Sequence, residues 1–150
     1  MTSFFDITST LPWPNAIGKR TAVGPLVGAA ESEAISELAK TTPLILVITA
    51  TTAAAHNLAS ELPFFLSDDR EILLVPDWET LPYDNFSPHE DIVSDRLKAL
   101  SRLPNLKSGV VIVSVTTLMH RLAPRHFIDA GVLSLKTGET LNAEQFVRNL

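Results

Sequence analysis

Apolar residues gather in three short unbroken runs, Leu44–Thr49, Ile72–Val75 and Gly109–Val115, and recur at helical spacing between them. An unbroken run of branched residues marks a strand covered on both faces. Ahead of the first run, Ala29–Lys40 reads as a helix, with Ile35 and Leu38 on one side and Glu31, Glu33 and Glu37 outside. A second, alanine-rich helix is predicted over Thr51–Leu62, stopped near Pro63. Ser87-Pro88-His89-Glu90 predicts a third helix start: serine caps, proline fits the first turn, and glutamate closes a capping box. That helix runs to about Leu103 with Val93, Leu97 and Leu100 at helical spacing, and Pro104-Asn105 ends it. A short strand is expected at Thr21–Gly24 and a short helix near Thr116–Leu122.

Strands alternating with helices imply a parallel sheet, because a parallel connection needs a crossover. The prediction is therefore an α/β fold, a three-layer parallel sheet flanked by helices, over residues 21–126. Residues 1–20 hold Pro12 and Pro14 around Trp13 and read as an extended lead-in that Trp13 pins to the domain. The pattern changes after Pro124. Gly131–Leu135 alternates like a half-exposed strand, and Asn142-Ala143-Glu144-Gln145 is another capping box. Residues 127–150 thus read as the start of a second, small α+β domain.

Composition narrows the class. Of 150 residues, 45% are hydrophobic and 19% charged, which suffices for a packed core. The net charge of −5 gives no overall attraction to nucleic acid, so any such contact needs a local patch. With no cysteine there are no disulfides, thiolate metal sites or cysteine nucleophiles. The N-terminus lacks a basic start and a long apolar stretch, unlike a secretory signal. The longest apolar run, Pro43 to Ala50, is far too short to span a bilayer. These features lead us to expect a cytoplasmic protein without membrane partners.

The segment Gly24-Pro25-Leu26-Val27-Gly28-Ala29-Ala30-Glu31-Ser32 lies where a phosphate-binding loop should, between the expected first strand and the first helix. Such a loop needs glycines for close backbone approach, a lysine for the terminal phosphates and a hydroxyl for magnesium. With Gly28 matched to the inner glycine of Gly-Ser-Gly-Lys-Thr, Ala30 replaces a glycine and Glu31 replaces the lysine. A carboxylate there repels a triphosphate. Only Ser32 keeps its type, and we read Gly24, Gly28, Ala30, Glu31 and Ser32 as a degenerate loop kept for its fold. Magnesium would also need an acid at a buried strand end. Only Asp77 is so placed, after Pro76, and it reads as an ordinary strand-end acid.

Charge is uneven along the chain. Residues 61–95 carry ten acids and one base, Arg70, whereas residues 96–128 carry six bases and no acid. Either these are two solvated faces, the reading we favour, or they dock an oppositely charged neighbour. Candidate partner residues are Trp78, Tyr83, Phe86, Arg96, Arg102, Arg121 and Arg125. For Trp78 and Phe86 the area an aromatic buries favours locking the loop onto the sheet over anchoring a partner. His56, His89, His120 and His126 have no metal-ligand spacing. No Gly-x-Ser-x-Gly elbow occurs, so we expect no catalytic and no metal residue.

The most distinctive stretch is Asp77-Trp78-Glu79-Thr80-Leu81-Pro82-Tyr83-Asp84-Asn85-Phe86-Ser87-Pro88-His89-Glu90-Asp91-Ile92. It closely resembles the corresponding part of the bacterial transcription-repair coupling factors. The likeness extends through Arg96-Leu97, Gly109–Val115, Thr117-Leu118-Met119 and the loop around Gly28-Ala29-Ala30. The resemblance implies a RecA-like, phosphate-loop-type domain in degenerate form, like the first domain of the excision-repair protein UvrB. It implies an inserted second domain and a return, no ATP hydrolysis by this region, and a role in recruiting UvrA. In that family ATP and magnesium belong to a separate DNA-translocating motor, which pushes stalled RNA polymerase. The expected partners are UvrA and other domains of the same full-length protein, with RNA polymerase and DNA reached through segments not present here. The family's main UvrA contacts are expected mostly beyond Leu150. Two rival readings are a nucleotide hydrolase with an atypical loop and a DNA-binding module using the bases of 96–125.

Overall fold

A computed structural model describes residues 11–13, 16–81, 83–131 and 137–138. Three parallel strands form one sheet in the order β1-β3-β2: β1 (Leu44–Thr49), β2 (Glu71–Val75) and β3 (Gly109–Ser114). The register pairs Ile45 and Ile72 with Val110, and Val47 and Leu74 with Ile112. The helices are α1 (Ala30–Thr41), α2 (Thr52–Phe65), α3 (Glu90–Arg102), α4 (Val115–Met119) and α5 (Arg125–Gly131). The α/β alternation and the three layers agree with the sequence reading.

One sheet face carries Ile45, Val110 and Ile112, packed with Ala39 of α1 and with Ala55, Leu58 and Leu62 of α2. The other carries Leu73, Val75, Val111 and Val113, packed with Ala99 of α3 and with Leu103 and Leu106. Every residue of β3 is buried, as expected of a central strand. The strand β1 is different: Leu46 is 56% exposed and Ile48 52% exposed, with Leu44 exposed beside them. Its unbroken apolar run suggested cover on both faces, yet among the described residues only one face is covered. As an edge strand it lies beyond the reach of α3.

Local chemistry explains the boundaries. Thr51 caps α2 by accepting from Ala54 N–H at 3.1 Å. The helix does not stop at Pro63 but continues to Phe65 with the proline inside it. The start of α3 also differs from the capping box: His89, not Ser87, is the N-cap, its Nδ1 accepting from Asp91 N–H at 3.3 Å. Residues 21–24 form no strand, because no partner strand lies beside them among the described residues. Arg70 closes the C-terminal end of α1, donating to the carbonyls of Ala39 at 2.5 Å, Thr42 at 3.3 Å and Pro43 at 2.9 Å. Gly109 has φ +142°, and a Cβ there would lie 2.3 Å from the Glu71 carbonyl oxygen. Only glycine lets β2 and β3 begin side by side.

Toward the C-terminal end, Ile128 of α5 is buried, and the helix packs on α3. The expected strand over 131–135 and the capping box at Asn142 lie outside the described residues, apart from Gly131, which ends α5.

Candidate functional site at the strand ends

In open parallel sheets, ligands bind beyond the carboxyl ends of the strands. Here those ends bring together Thr51 and Thr52 after β1, Asp77 after β2, and Ser114, Thr116 and Thr117 at the end of β3. Asp77 is the hub. Its carboxylate accepts from the Thr116 hydroxyl at 2.8 Å, the Thr52 hydroxyl at 3.3 Å and the Trp78 N–H at 2.7 Å. His120 Nδ1 lies 3.7 Å from Oδ1, the oxygen that also accepts from Trp78 N–H. Burial works to raise the Asp77 pKa, but the Thr116, Trp78 and Thr117 hydrogen bonds and the nearby His120 outweigh it and hold the carboxyl below its ordinary value. The acid that could have held magnesium is therefore engaged by hydroxyls and a backbone amide.

Arg96 sits beside this hub and is only 1% exposed. One guanidinium nitrogen donates to the Pro76 carbonyl at 2.6 Å, and the group lies 4.7 Å from the centre of the Trp78 ring. Burial holds its pKa below the ordinary value, and the charge of Asp77 offsets only part of that shift. The second nitrogen, Nη2, is buried without a hydrogen-bond partner among the described residues. Arg96 is thus a core residue that clamps α3 to the end of β2, not part of a solvated basic face. Its helical position carried the signal, since Ile92, Arg96, Ala99 and Leu103 fall on one side of α3.

The other candidate residues are scattered. Trp78 is half-buried beneath Arg96. Phe86 was expected to pack as well, but it is 82% exposed, and Tyr83 is fully exposed. They stand on a loop tip where Asp84 accepts from Leu81 N–H at 2.7 Å, with positive φ at Glu79 and Tyr83. Arg102 reaches back to Glu71 at 3.3 Å, joining the basic and acidic segments within the domain. Arg121 and Arg125 are exposed past α4.

The degenerate loop leads straight into α1. Gly28 has φ +63°, and Ala29 provides no side-chain cap. Glu31 faces solvent. Ser32, the one residue that kept its type, is fully buried and donates to Glu61 of α2 at 3.0 Å. Its hydroxyl is used between two helices. Among the described residues no group of three metal-ligating side chains occurs, and no helix is long and apolar enough to cross a membrane.

Comparison with known proteins fits this picture. The transcription-repair-coupling factor of Haemophilus influenzae is 42% identical over 120 residues, 79% of this chain. That of Escherichia coli is 39% identical over 133 residues, 87% of the chain. This chain belongs to the transcription-repair-coupling factor family. The match to the Mycobacterium bovis member is 41% over 97 residues, 60% of the chain. The chain spans only about a tenth of the length of these relatives, 10%, 11% and 8% respectively. No family model matches it.

Proposed function

We propose that this chain is the UvrB-like module of a transcription-repair coupling factor and serves transcription-coupled nucleotide excision repair as a nucleotide-free scaffold for recruiting UvrA. The observation that carries the nucleotide-free part is the fate of the loop before α1. An acid stands where a cation should meet phosphate, and the Ser32 hydroxyl is taken by Glu61. Asp77, the one strand-end acid suited to magnesium, is held by Thr116 and Thr52. The segment then takes no cofactor. ATP, magnesium, DNA and RNA polymerase belong to other parts of the full-length translocase, which works in the cytoplasm. What the module offers is surface, including the Tyr83–Phe86 loop tip and the exposed Arg102, Arg121 and Arg125.

Two titrations test this. Calorimetry with magnesium-ATP should give no saturable heat, and saturable binding displaced by ADP would overturn the nucleotide-free reading. UvrA titrated into the folded chain should bind saturably. No heat would place the contact outside these 150 residues and leave the chain as the frame that presents it. The DNA-binding alternative loses support from the structure, because the first base of its segment, Arg96, is buried.

A further inference from the structure

The loop between β2 and α3 turns its apolar side chains outward. Leu81, Tyr83 and Phe86 are all exposed, and large apolar groups gathered in the open mark interaction sites. The tip is a built turn. Asp84 closes it twice: its carboxylate accepts from Leu81 N–H at 2.7 Å, and its own N–H donates to the Leu81 carbonyl at 3.1 Å. Both ends of the loop are fixed, by Trp78 against Arg96 and by the His89 cap of α3. Within it Glu79 and Tyr83 hold φ of +57° and +76°, which residues other than glycine seldom adopt. At Tyr83 no packing offsets that strain, because the ring is fully exposed. Strain of this kind gathers at binding sites. The surroundings are acidic. Glu79, Asp84, Glu90, Asp91 and Asp95 are exposed along the loop and the start of α3, and no lysine or arginine occurs between Arg70 and Arg96.

We propose that this tip is an anchor by which the chain engages a protein partner, with Tyr83 and Phe86 entering an apolar pocket whose rim carries lysine and arginine. The partner, on the recruiting role proposed above, is UvrA, and the tip adds a contact from this domain to those expected beyond Leu150. Aromatic anchors dominate interface energies, and a loop already fixed in shape loses little freedom on binding. The acids select the partner. Exposed rings also stack on the bases of single-stranded nucleic acid, but such sites set their rings in a positively charged groove. Here five carboxylates would face the phosphates, and Arg96, the next base along the chain, is buried. A basic protein rim is attracted instead, which steers the encounter and fixes its register.

The test is calorimetric titration of UvrA into this chain and into the intact polypeptide that carries it. Tyr83→Asn with Phe86→Ser removes both rings, and asparagine accepts the left-handed backbone at position 83. Both positions are exposed, so the melting midpoint should move by no more than about 2 °C. UvrA should bind this double variant at least about 30-fold more weakly, as truncated aromatic anchors do. Glu79→Gln with Glu90→Gln and Asp91→Asn should weaken binding about 10-fold at low salt and flatten its salt dependence. Binding that is the same with and without the rings, in both proteins, would overturn the anchor and leave the recruiting role standing. An intact polypeptide that does not bind UvrA at all would overturn both. Oligothymidylate bound by the wild-type chain and lost with the rings, while UvrA binding is unchanged, would make the tip a base-stacking platform and overturn the proposal too.

Discussion

The two faces of strand β1 are made from the same kinds of residue but have different fates. Ile45, Val110 and Ile112 lie under α1 and α2, with Leu62 fully buried among them. On the reverse side, Leu46 and Ile48 of the same strand β1 stand in solvent. Burial therefore follows what lies opposite a side chain, not the side chain's own hydrophobicity. A β1 residue on the first face holds the domain together, whereas Leu46 and Ile48 on the second are available to something else.

The contrast can be broken by truncation. Leu62→Ala or Ile112→Ala should destabilise the chain by about 2–5 kcal/mol, because a cavity is added to the lost transfer energy. Leu46→Ala should stay within about 0.5 kcal/mol, as exposed positions do. Urea unfolding curves measure both, and equal losses would abolish the distinction. Gly109→Ala tests how the covered strands are brought together. Its Cβ would strike the Glu71 carbonyl, and we expect a loss of about 1–3 kcal/mol by the same measurement. Ser32→Ala should cost about 1 kcal/mol, the worth of one hydrogen bond.

A pH titration sharpens the comparison at the strand ends. The folded-state pKa of Asp77 is lowered, so its contribution is complete above the unfolded value of about 3.9 and is lost as pH falls through the lower folded value. Asp77→Asn should flatten the acid limb of the stability curve in that window. An unchanged acid limb would show that the Thr116 and Trp78 bonds do not favour the charged carboxylate. This is the smallest expected effect, because other carboxylates titrate in the same range.

The order of helices and strands was readable from the chain because long apolar runs and helical periods are local properties. The runs at 44–49 and 109–115 look alike in sequence, yet β3 is central and β1 is at an edge. Only the pairing partners, which are remote in sequence, decide that. Residues 21–24 resembled a strand by composition, but a strand needs a neighbour. Among the site residues, the acid Glu31 where a phosphate loop carries its lysine was legible because charge is a property of one residue. The use of Ser32 by Glu61, 29 residues away, was not. Arg96 was grouped with its charged neighbours in sequence, whereas its place on the helix put it inside.

The strand order also governs how the chain folds as it is made. Among the described residues, β1 and β2 both hydrogen-bond only to β3, the last of the three to be synthesised. Until Gly109–Ser114 leaves the ribosome, neither outer strand has a partner, and α1 and α2 can offer only local structure. At about 5–20 residues per second that interval lasts seconds, long compared with helix formation. During it the nascent chain carries two bare apolar strands. The arrival of β3 completes both ladders together, so the sheet assembles in one late step, and the naked β1 segment is where a chaperone would be expected to bind first.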